Sequence, residues 1–489
     1  MRVLLIKPRP TAVQFGLAPF FQTEPLGLEY VASALLAAGH QVRIVDLRFE
    51  RRPIVRILRD FTPRVVGIAC LHILDVPATL QLARAIKQHD ANVTVAVGGH
   101  AVGSYPQALE GCRSVDAICA AEGENAMPAL CAAVELGKPL ADVPSLLLPD
   151  GSGTFQPTAE VAPWLDLASV RIPNRQLIQP YQKHYCCLNY MPVWTIETAR
   201  GCPHRCKFCS VWQFYSGSCR CHSPANVRAD FEAAGSHVFI IDDLFWGDRE
   251  HSAELASALL ASPVRKRWIL VQSRVDLVSM NADLLRQWRP LARNFDIFFG
   301  FESPTREGLR SLHKGADIGR TIEAVRVARE LGFGVTGNFI IDPDYTEEDF
   351  RLLWDFLDAH QLFRVGFTIL TPLPGTEFFE QSREKLQVFD WNQYDLHHLL
   401  WQPRLPVERF FELYCETWKR TVLNAAGRKK WWKWMAQVEI RQMGRMLRIL
   451  RRTQHMLDPR AYLAETRIPL AARPAEAPDE APADAREPD

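Results

Sequence analysis

The chain has 489 residues, of which 47% are hydrophobic, and its 57 Lys and Arg nearly balance its 56 Asp and Glu for a net charge of +1. This length predicts about three domains with a large core, and the near-neutral balance argues against nucleic-acid binding. No apolar run reaches the about 18 residues of a membrane-spanning helix, and the opening run is too short for a signal peptide. The twelve cysteines are scattered rather than framed as in disulfide-bonded domains, so we expect a reduced, cytoplasmic protein.

Residues 1–140 alternate short apolar strands with helical patterns, which predicts a doubly wound parallel sheet. The expected strands cover residues 3–6, 42–46, 65–70, 93–97 and 117–119. Ligands of such sheets bind beyond the carboxyl ends of the strands. The loops there hold six candidate ligand contacts, namely Cys70, His72, Gly98, Gly99, Glu122 and Gly123. The glycines let the backbone approach a large flat ligand closely, whereas Cys70 and His72 have an alternative reading as core and loop residues.

Residues 141–190 are rich in proline, serine and glycine and show little periodicity, which predicts a linker. The alternation resumes over residues 191–380, where six more strand–helix units are expected. Their strands cover residues 194–198, 238–243, 269–273, 297–303, 334–341 and 365–370. By analogy with barrels of this kind, we expect the site at the carboxyl ends of these strands.

Three cysteines, Cys202, Cys206 and Cys209, stand in one short loop after the first of these strands, separated by three residues and then by two. Three thiolates can hold three corners of a 4Fe–4S cube, which ordinarily takes four cysteines. The remaining iron is then open to a ligand that is not protein. The alternative is a zinc knuckle, which needs a fourth ligand from His204 or Cys219.

With these motifs in this order, the chain resembles the radical S-adenosylmethionine (SAM) superfamily, in which SAM chelates the open iron through its amino and carboxylate groups. The resemblance implies a partial (β/α)6 barrel and SAM contacts by Phe208, Arg274, Glu302, Ser303 and Thr371. Phe208 stands where the family keeps an aromatic beside the adenine. Arg274 would meet the SAM carboxylate with a planar fork suited to an oxyanion. Glu302 and Ser303 would take the ribose hydroxyls, and Thr371 opens a run found after the sixth strand of cobalamin-type members.

The first domain resembles the flavodoxin-like cobalamin-binding domain that precedes many radical SAM barrels. The resemblance implies that the six loop residues named above contact cobalamin. The domain lacks the Asp-x-His-x-x-Gly signature by which some cobalamin proteins place a histidine on cobalt. We therefore expect a base-off, histidine-off cobalamin with Cys70 or His72 near its lower face.

One departure from the superfamily pattern follows the fifth barrel strand, where relatives keep a Gly-x-Pro-Gly-Glu-Thr turn. This chain reads Asn338-Phe-Ile-Ile-Asp-Pro-Asp-Tyr-Thr346. Together with Lys7-Pro-Arg-Pro10 and Cys206-Lys-Phe-Cys-Ser-Val-Trp212, this run most resembles the hopanoid C-3 methylases.

That resemblance implies a cobalamin-dependent radical SAM C-methyltransferase acting on an unactivated carbon of an apolar substrate, such as a hopanoid lipid. Methylcobalamin would donate the methyl group, and a reductant such as flavodoxin or ferredoxin would supply electrons. The alternative is an oxidative cyclase or ring-rearranging oxidoreductase with the same cofactors. A third hypothesis is a cobalamin-binding sensor with a vestigial barrel, against which the intact cysteine loop argues.

Residues 381–467 are predicted to form a helical, basic C-terminal domain, and residues 468–489 a disordered tail. Between residues 419 and 460 there are 12 Lys or Arg against 2 acidic residues. An apolar face beside arginines predicts a basic amphipathic helix suited to the inner face of an anionic membrane. Those arginines are Arg441, Arg445, Arg448 and Arg452. The alternative is a helix that packs its apolar stripe on the barrel and leaves its charges in water.

Overall fold

The computed structural model describes residues 1–10, 15, 21–187, 190–422, 451 and 454–468. Its first part is a seven-stranded sheet with the strand order β3-β1-β4-β5-β6-β7-β8. The strands of this part are β1 (Arg2–Lys7), β2 (Phe21–Gln22), β3 (Gln41–Asp46), β4 (Val65–Ala69), β5 (Thr94–Gly98), β6 (Ala117–Cys119), β7 (Leu146–Pro149) and β8 (Phe155–Pro157). The helices are α1 (Leu26–Ala37), α2 (Ile54–Phe61), α3 (Val76–His89), α4 (His100–Ser104) and α5 (Gly123–Leu136). Strand β2 lies outside the sheet.

Both faces of this sheet are buried, which explains its continuous apolar strands. Along β1, Leu4 and Ile6 lie in one core while Val3 and Leu5 lie in another, because successive side chains of a strand point to opposite faces. The strands β3, β1, β4, β5 and β6 are parallel neighbours. This is the 2-1-3-4-5 order of flavodoxin-like sheets, so the predicted doubly wound fold is confirmed.

The segment predicted as a linker begins with structure that the sequence did not indicate. Strand β7 pairs antiparallel with β6, and β8 pairs antiparallel with β7, so a hairpin extends the first sheet to Pro157. Pro157 lies on β8, the edge strand, and Pro149 ends β7 beyond the residues that pair with β6, so no second neighbour needs their missing N–H groups. The first sheet therefore ends later than residue 140.

The second part is an open barrel of six parallel strands in the order β10-β13-β14-β15-β16-β17. Its strands and two small hairpin partners are β9 (Cys186–Cys187), β10 (Trp194–Ile196), β11 (Ala199–Arg200), β12 (Arg220–Cys221), β13 (His237–Ile240), β14 (Lys266–Ser273), β15 (Ala292–Glu302), β16 (Gly334–Ile341) and β17 (Val365–Ile369). The helices of the second part are α6 (Val211–Phe214), α7 (Pro224–Ala233), α8 (Arg249–Leu260), α9 (Val275–Met280), α10 (Ala282–Trp288), α11 (Arg306–Ser311), α12 (Ile318–Glu330), α13 (Glu347–Ala359) and α14 (Glu377–Ser382). The predicted partial barrel is confirmed.

Local chemistry sets where the barrel helices begin. The Asp248 side chain accepts a hydrogen bond from the N–H of His251 at the start of α8, and Thr346 and Asp349 form a reciprocal capping box at the start of α13. Inside the barrel, the rings of Phe301 and Phe339 stack with centroids 5.2 Å apart. One continuous apolar core joins residues of both parts, so the two domains pack as one body.

The C-terminal region is helical, as predicted, in two described segments, which irregular backbone precedes. It contains α15 (Val407–Val422) and α16 (Pro459–Glu465), whereas residues 383–406 form only short 3-10 turns and irregular backbone. The backbone of Leu396 accepts a hydrogen bond from the N–H of Ile369, 2.7 Å away, which attaches this segment to the last barrel strand. The predicted amphipathic helix with Arg441, Arg445, Arg448 and Arg452, and residues 469–489 of the predicted tail, lie outside the described residues. Among the described helices, none is long and apolar enough to cross a membrane.

Candidate active site

A small hairpin frames the loop that carries the three cysteines. Strands β11 and β12 pair antiparallel, so the loop from Gly201 to Ser218 leaves and returns at one point. Gly201 has a φ of +92°, and a Cβ there would lie 2.1 Å from the Ser218 carbonyl oxygen. Its N–H donates to the Asp243 carboxylate at 2.9 Å, just beyond β13. Only glycine fits this position without displacing the hairpin.

The loop orders the cysteines through its own backbone. The N–H of Cys209 donates to the carbonyl of Cys206 at 3.1 Å, and the indole N–H of Trp212 donates to the same carbonyl at 3.2 Å. Cys206 is buried, while Cys202 and Cys209 are partly exposed. Burial raises the pKa of the Cys209 thiol to about 11 and raises that of Cys202 as well. These thiols therefore favour the thiolate only with a positive partner, such as the irons of a cluster.

The donor set fits a cluster better than a single ion. Within the part of the chain that the structure describes, no three His, Cys, Asp or Glu side chains converge as they would around one metal ion. In a cube each cysteine binds a different iron, so its three protein ligands stand apart from one another. Cys202, Cys206 and Cys209 would hold three such irons and leave the fourth for a ligand that is not protein.

Two acidic residues beyond β13 support the start of this loop. Asp242 accepts hydrogen bonds from the N–H and the hydroxyl of Thr198, and burial raises the pKa of Asp242 to about 8. Burial also raises the pKa of Asp243 to about 6, although the N–H of Gly201 opposes that rise. Both carboxyl groups thus accept hydrogen bonds from backbone N–H groups, in buried positions where a negative charge is poorly solvated.

The predicted SAM contacts Phe208, Arg274 and Glu302 meet around a residue that the sequence did not single out, Lys314. The Lys314 ammonium donates to Glu302 at 2.7 Å and lies 6.0 Å from the centre of the Phe208 ring. The carbonyl of Lys314 accepts a hydrogen bond from the Arg274 guanidinium at 2.9 Å. Burial alone would lower the pKa of Lys314, but the Glu302 and Cys206 charges outweigh it and raise the pKa. Lys314 lies between α11 and α12, and no motif marks it in the sequence.

The other predicted SAM contacts already have protein partners. Two nitrogens of the Arg274 fork donate to the Asp276 carboxylate at 3.0 to 3.3 Å. The N–H of Thr305 donates to the Ser303 hydroxyl at 3.2 Å, and the Thr371 hydroxyl donates to the Ile369 carbonyl at 3.0 Å. Glu302 has a φ of +62°, an uncommon conformation for this residue type that turns the chain at the end of β15. Their roles toward SAM stay predictions.

The loop after β4, at the predicted cobalamin face, is organised by Asp75. One carboxylate oxygen accepts from the Lys7 ammonium at 2.8 Å and from the N–H of Leu71 at 3.0 Å. The His72 ring nitrogen Nδ1 accepts from the N–H of Leu74 at 3.3 Å, so a neutral His72 carries its proton on Nε2. Cys70 is fully buried, and burial raises its pKa to about 12, which agrees with the alternative reading of Cys70 as a core residue.

Glycines shape the next two loops of the cobalamin domain. Gly99 has a φ of +117°, and a Cβ there would lie 2.6 Å from the Cys70 carbonyl oxygen. A Cβ on Gly98 would meet Cys119 at 3.4 Å, and one on Gly123 would press on Val31 at 2.9 Å. The backbone at Gly98 and Gly99 therefore packs closely on the ends of the neighbouring strands, where a larger residue at position 99 would not fit.

His100, which directly follows Gly99, connects the two domains. Its Nε2 forms a hydrogen bond of 2.6 Å with the hydroxyl of Ser210, which directly follows Cys209. The His100 ring also lies against Phe214, with centroids 4.8 Å apart. Burial lowers the pKa of His100 to about 4, so the ring is neutral near pH 7. The cobalamin loop and the cysteine loop are thus in direct contact, which sequence reasoning did not predict.

A second contact between the domains involves Glu122. Its carboxylate accepts from Arg200 at 2.9 Å, from Arg220 twice at 3.0 Å, and from the N–H of Leu165 at 2.8 Å. Arg200 also donates to Glu124 at 2.6 Å. Glu122 is thus satisfied by the barrel hairpin, and its predicted role in cobalamin binding would rest on its backbone.

The Glu302–Lys314 pair lies beside Phe208 of the cysteine loop, and the His100–Ser210 contact joins that loop to the first domain. Two family models match the chain in the corresponding parts. Residues 17–131 match the B12 binding domain, and residues 196–357 match the radical SAM superfamily. The chain belongs to the cobalamin-binding radical SAM enzymes. Its cofactors are therefore a 4Fe–4S cluster, SAM and cobalamin, and enzymes of this type need a reductant and a substrate.

This enzyme is similar to characterised relatives over most of its length. It is 29% identical to the hopanoid C-3 methylase of Methylococcus capsulatus, covering 96% of this chain and 90% of that one. It is 26% identical to the anaerobic magnesium-protoporphyrin IX monomethyl ester cyclase of Cereibacter sphaeroides, covering 78% of this chain and 64% of that one. Its fold matches the cobalamin-dependent SAM radical enzyme OxsB with a TM-score of 0.69 at 16% identity, covering 89% of this chain and 70% of that one.

Proposed function

We propose that this enzyme is a cobalamin-dependent radical SAM C-methyltransferase that methylates an unactivated carbon of an apolar substrate, a hopanoid lipid at C-3. The similarity to the hopanoid C-3 methylase over nearly the whole chain carries the proposal. The contact between the cobalamin loop and the cysteine loop through His100 and Ser210 supports it, because a methyl donor and a radical source must face one substrate carbon.

When bound, SAM on the cluster supplies a hydrogen-abstracting radical and methylcobalamin supplies the methyl group. The side chains of this chain hold and orient these groups. Cys202, Cys206 and Cys209 would bind the cluster, and Glu302 with Lys314 would form one wall of the SAM site. No side chain is required as a nucleophile. The buried Glu302–Lys314 pair would hold SAM in one orientation beside the cluster.

The departure after the fifth barrel strand supports a distinct substrate. The hydroxyl of Tyr345, from the Asp342-Pro-Asp-Tyr345 run, donates to the Ile340 carbonyl at 3.5 Å. Burial raises the pKa of Tyr345, so the phenol stays neutral. An aromatic side chain thus stands where relatives carry a glycine-rich turn, and its ring packs edge-to-face on Phe350. That change favours an apolar substrate over a charged one.

The test is anaerobic turnover of the reconstituted enzyme with methyl-labelled SAM and hopanoid lipids, followed by mass spectrometry. We expect one labelled methyl group per modified lipid and 5′-deoxyadenosine formed in proportion. A Cys202→Ala variant is the matched control and should give neither product. Formation of 5′-deoxyadenosine with no label in any lipid would contradict the methyltransferase proposal.

A second candidate is an oxidative cyclase, favoured by the similarity to the magnesium-protoporphyrin IX monomethyl ester cyclase. The same incubation distinguishes it when a magnesium-porphyrin monomethyl ester replaces the lipid. A cyclase would change the mass of the porphyrin without incorporating the label. We expect no such change, because the chain spans only 64% of that relative.

We further infer a peripheral contact with the inner membrane face, which would bring the enzyme to a lipid substrate. Its support is the composition of residues 419–460, with 12 basic and 2 acidic side chains. Each basic residue near an anionic bilayer gains roughly 1 kcal/mol, and tryptophans favour the interface. The segment also contains Trp431, Trp432 and Trp434.

A further inference from the structure

The short helix that follows the glycine pair of the cobalamin domain lies against the cysteine loop of the barrel. Helix α4 begins at His100, whose Nε2 lies 2.6 Å from the hydroxyl oxygen of Ser210. Further along α4, a Cβ at Gly103 would lie 2.5 Å from the ring of Phe214. Ser210 precedes α6 and directly follows Cys209, and Phe214 ends α6. One polar and one apolar contact thus join α4 to the segment that follows the third predicted cluster ligand.

The apolar contact leaves the Phe214 ring little room to move. The rings of His100 and Tyr215 each lie 4.8 Å from it between centroids, and the Trp164 ring lies 6.4 Å away. The N–H of Phe214 donates to the carbonyl of Ser210 at 2.9 Å, so these two contacts of α4 are connected through one turn of backbone. A displacement of α4 is therefore passed to the Phe214 ring and to Ser210 together.

Both ends of α4 are closely packed. At its start, a Cβ on Gly99 would lie 2.6 Å from the carbonyl oxygen of Cys70, within the first domain. At its end, a Cβ on Gly375, in the loop after β17, would lie 2.8 Å from the carbonyl oxygen of Ser104. A ligand that binds at the glycine pair therefore contacts the start of a helix whose other neighbours belong to the barrel.

We propose that His100 is a positioning residue that couples the two cofactor sites: cobalamin bound at Gly98 and Gly99 fixes α4, and α4 restrains the Cys209 end of the cysteine loop through Ser210. The proposal rests on cobalamin lying at the glycine pair and requires no contact between His100 and a reacting atom. Coupling between two binding sites is reciprocal, so an intact cluster in turn strengthens cobalamin binding.

The rate at which the cluster loses iron reports this restraint. Iron can leave only when a cysteine ligand dissociates, and dissociation requires local opening of the loop, which is governed by the contacts around it. A hydrogen bond of ordinary net strength changes such an opening equilibrium by about fivefold. Cobalamin should therefore slow the loss of iron by about this factor when His100 transmits its effect.

The first experiment follows transfer of iron from the reconstituted full-length enzyme to a ferrous chelator under anaerobic conditions, with and without saturating hydroxocobalamin. We expect cobalamin to slow the wild type about fivefold and to change the rate of His100→Leu by less than about twofold. His100→Gln should recover the effect, because its amide reaches the position of Nε2. The matched control is His89→Leu, at an exposed histidine that ends α3, which should behave as the wild type.

The ratio of the two rates separates positioning from a merely structural role. A residue that only stabilises the fold would raise the loss of iron equally with and without cobalamin and leave the ratio unchanged. Equal ratios in the wild type and His100→Leu, or no effect of cobalamin on the wild type, would overturn the proposal. Neither SAM nor a lipid is present, so these outcomes do not depend on the methyltransferase assignment.

A second set of variants keeps the proposal testable if His100→Leu fails to bind cobalamin. Ser210→Ala removes the same hydrogen bond from the barrel side, and we expect it to abolish the cobalamin effect on its own. Gly103→Ala should weaken that effect by pressing on Phe214, whereas Gly27→Ala, where a Cβ meets no atom within 4 Å, is its matched control. A full cobalamin effect in Ser210→Ala would contradict the proposed connection.

Discussion

Replacing Glu122 by glutamine removes one negative charge from the contact between the domains while keeping the shape of the side chain. The carboxylate is only 5% exposed and accepts three hydrogen bonds from arginines and one from a backbone N–H. Removing one partner of a buried ion pair costs about 3–5 kcal/mol. Arg200 keeps Glu124 and Glu197, and glutamine keeps one acceptor oxygen, so we expect a loss of about 2–3 kcal/mol at this contact.

Hydrogen exchange of the amides in α5 and β11 is the suitable assay, because a two-domain enzyme need not unfold in one step. A loss of about 2–3 kcal/mol corresponds to exchange roughly 30- to 150-fold faster. The matched control is Glu124→Gln, which removes the charge from the acceptor of a single hydrogen bond, donated by Arg200 at 2.6 Å. We expect about a fivefold effect from this control, in line with about 1 kcal/mol.

The effect of Glu122→Gln should also depend on pH in a defined direction. Burial alone would raise the pKa of Glu122, but hydrogen bonds from Arg220 and Leu165 and the Arg200 charge lower it below the usual value of 4.5. A lowered carboxyl pKa contributes stability above the unfolded pKa, and that stability is lost as pH falls through the folded pKa. The difference between wild type and variant should therefore be constant from about pH 5 to 8 and shrink below about pH 4. Equal exchange in the two variants, or a difference that persists in acid, would refute the role of Glu122.

Four further outcomes are expected. Replacing any one of the three cluster cysteines by alanine should abolish reductive SAM cleavage, whereas Cys219→Ser and Cys221→Ser should keep full iron content; 5′-deoxyadenosine from the triple alanine variant would contradict the assignment. Electron paramagnetic resonance of the Co(II) state should show no nitrogen splitting from a protein imidazole, because His72 Nδ1 caps the 3-10 turn; such splitting, lost in His72→Ala, would make His72 a ligand. Lys314→Met should lower SAM cleavage at least tenfold by leaving Glu302 unpaired, with Lys314→Arg as the charge-preserving control, and equal rates would remove Lys314 from the site. In vesicle flotation at low salt, the full chain should bind anionic vesicles more than a variant in which four arginines become glutamine, namely Arg441, Arg445, Arg448 and Arg452. Equal recovery of the two proteins would contradict the membrane proposal.

The parts of the fold that follow local rules were predictable from the sequence. Strands β6 and β16 match their predicted residues, and β6 is a short apolar run that is buried throughout, as expected of a strand covered on both faces. The β7–β8 hairpin was missed because its short strands contain Pro149 and Pro157, which indicate turns unless a sheet edge is known to lie there. Its existence depends on an edge that only the folded sheet provides.

The residues of the candidate site also separate into those that local sequence patterns predicted and those that depend on distant parts of the chain. Cysteine spacing and the Gly300-Phe-Glu-Ser303 motif are local patterns, and they identified the cysteine loop and the Glu302 carboxylate, both of which lie beside Lys314 in the structure. Lys314 was not predicted because it lies in a loop between α11 and α12, and no local sequence pattern connects that loop with its partner Glu302. The arginines that hold Glu122 follow it by 78 and 98 residues, so its interdomain contact could not be predicted from neighbouring sequence.

The separation between Glu122 and Arg200 also bears on how the chain assembles during synthesis. With the hairpin ending at Pro157, the first sheet is complete before any barrel strand has been made. Domains fold as units in order of synthesis, so Glu122 stays hydrated on a finished domain until Arg200 emerges 78 residues later. Docking of the barrel is then a late event, and the loop that receives the cluster takes its final shape only on the surface of a domain that folded before it.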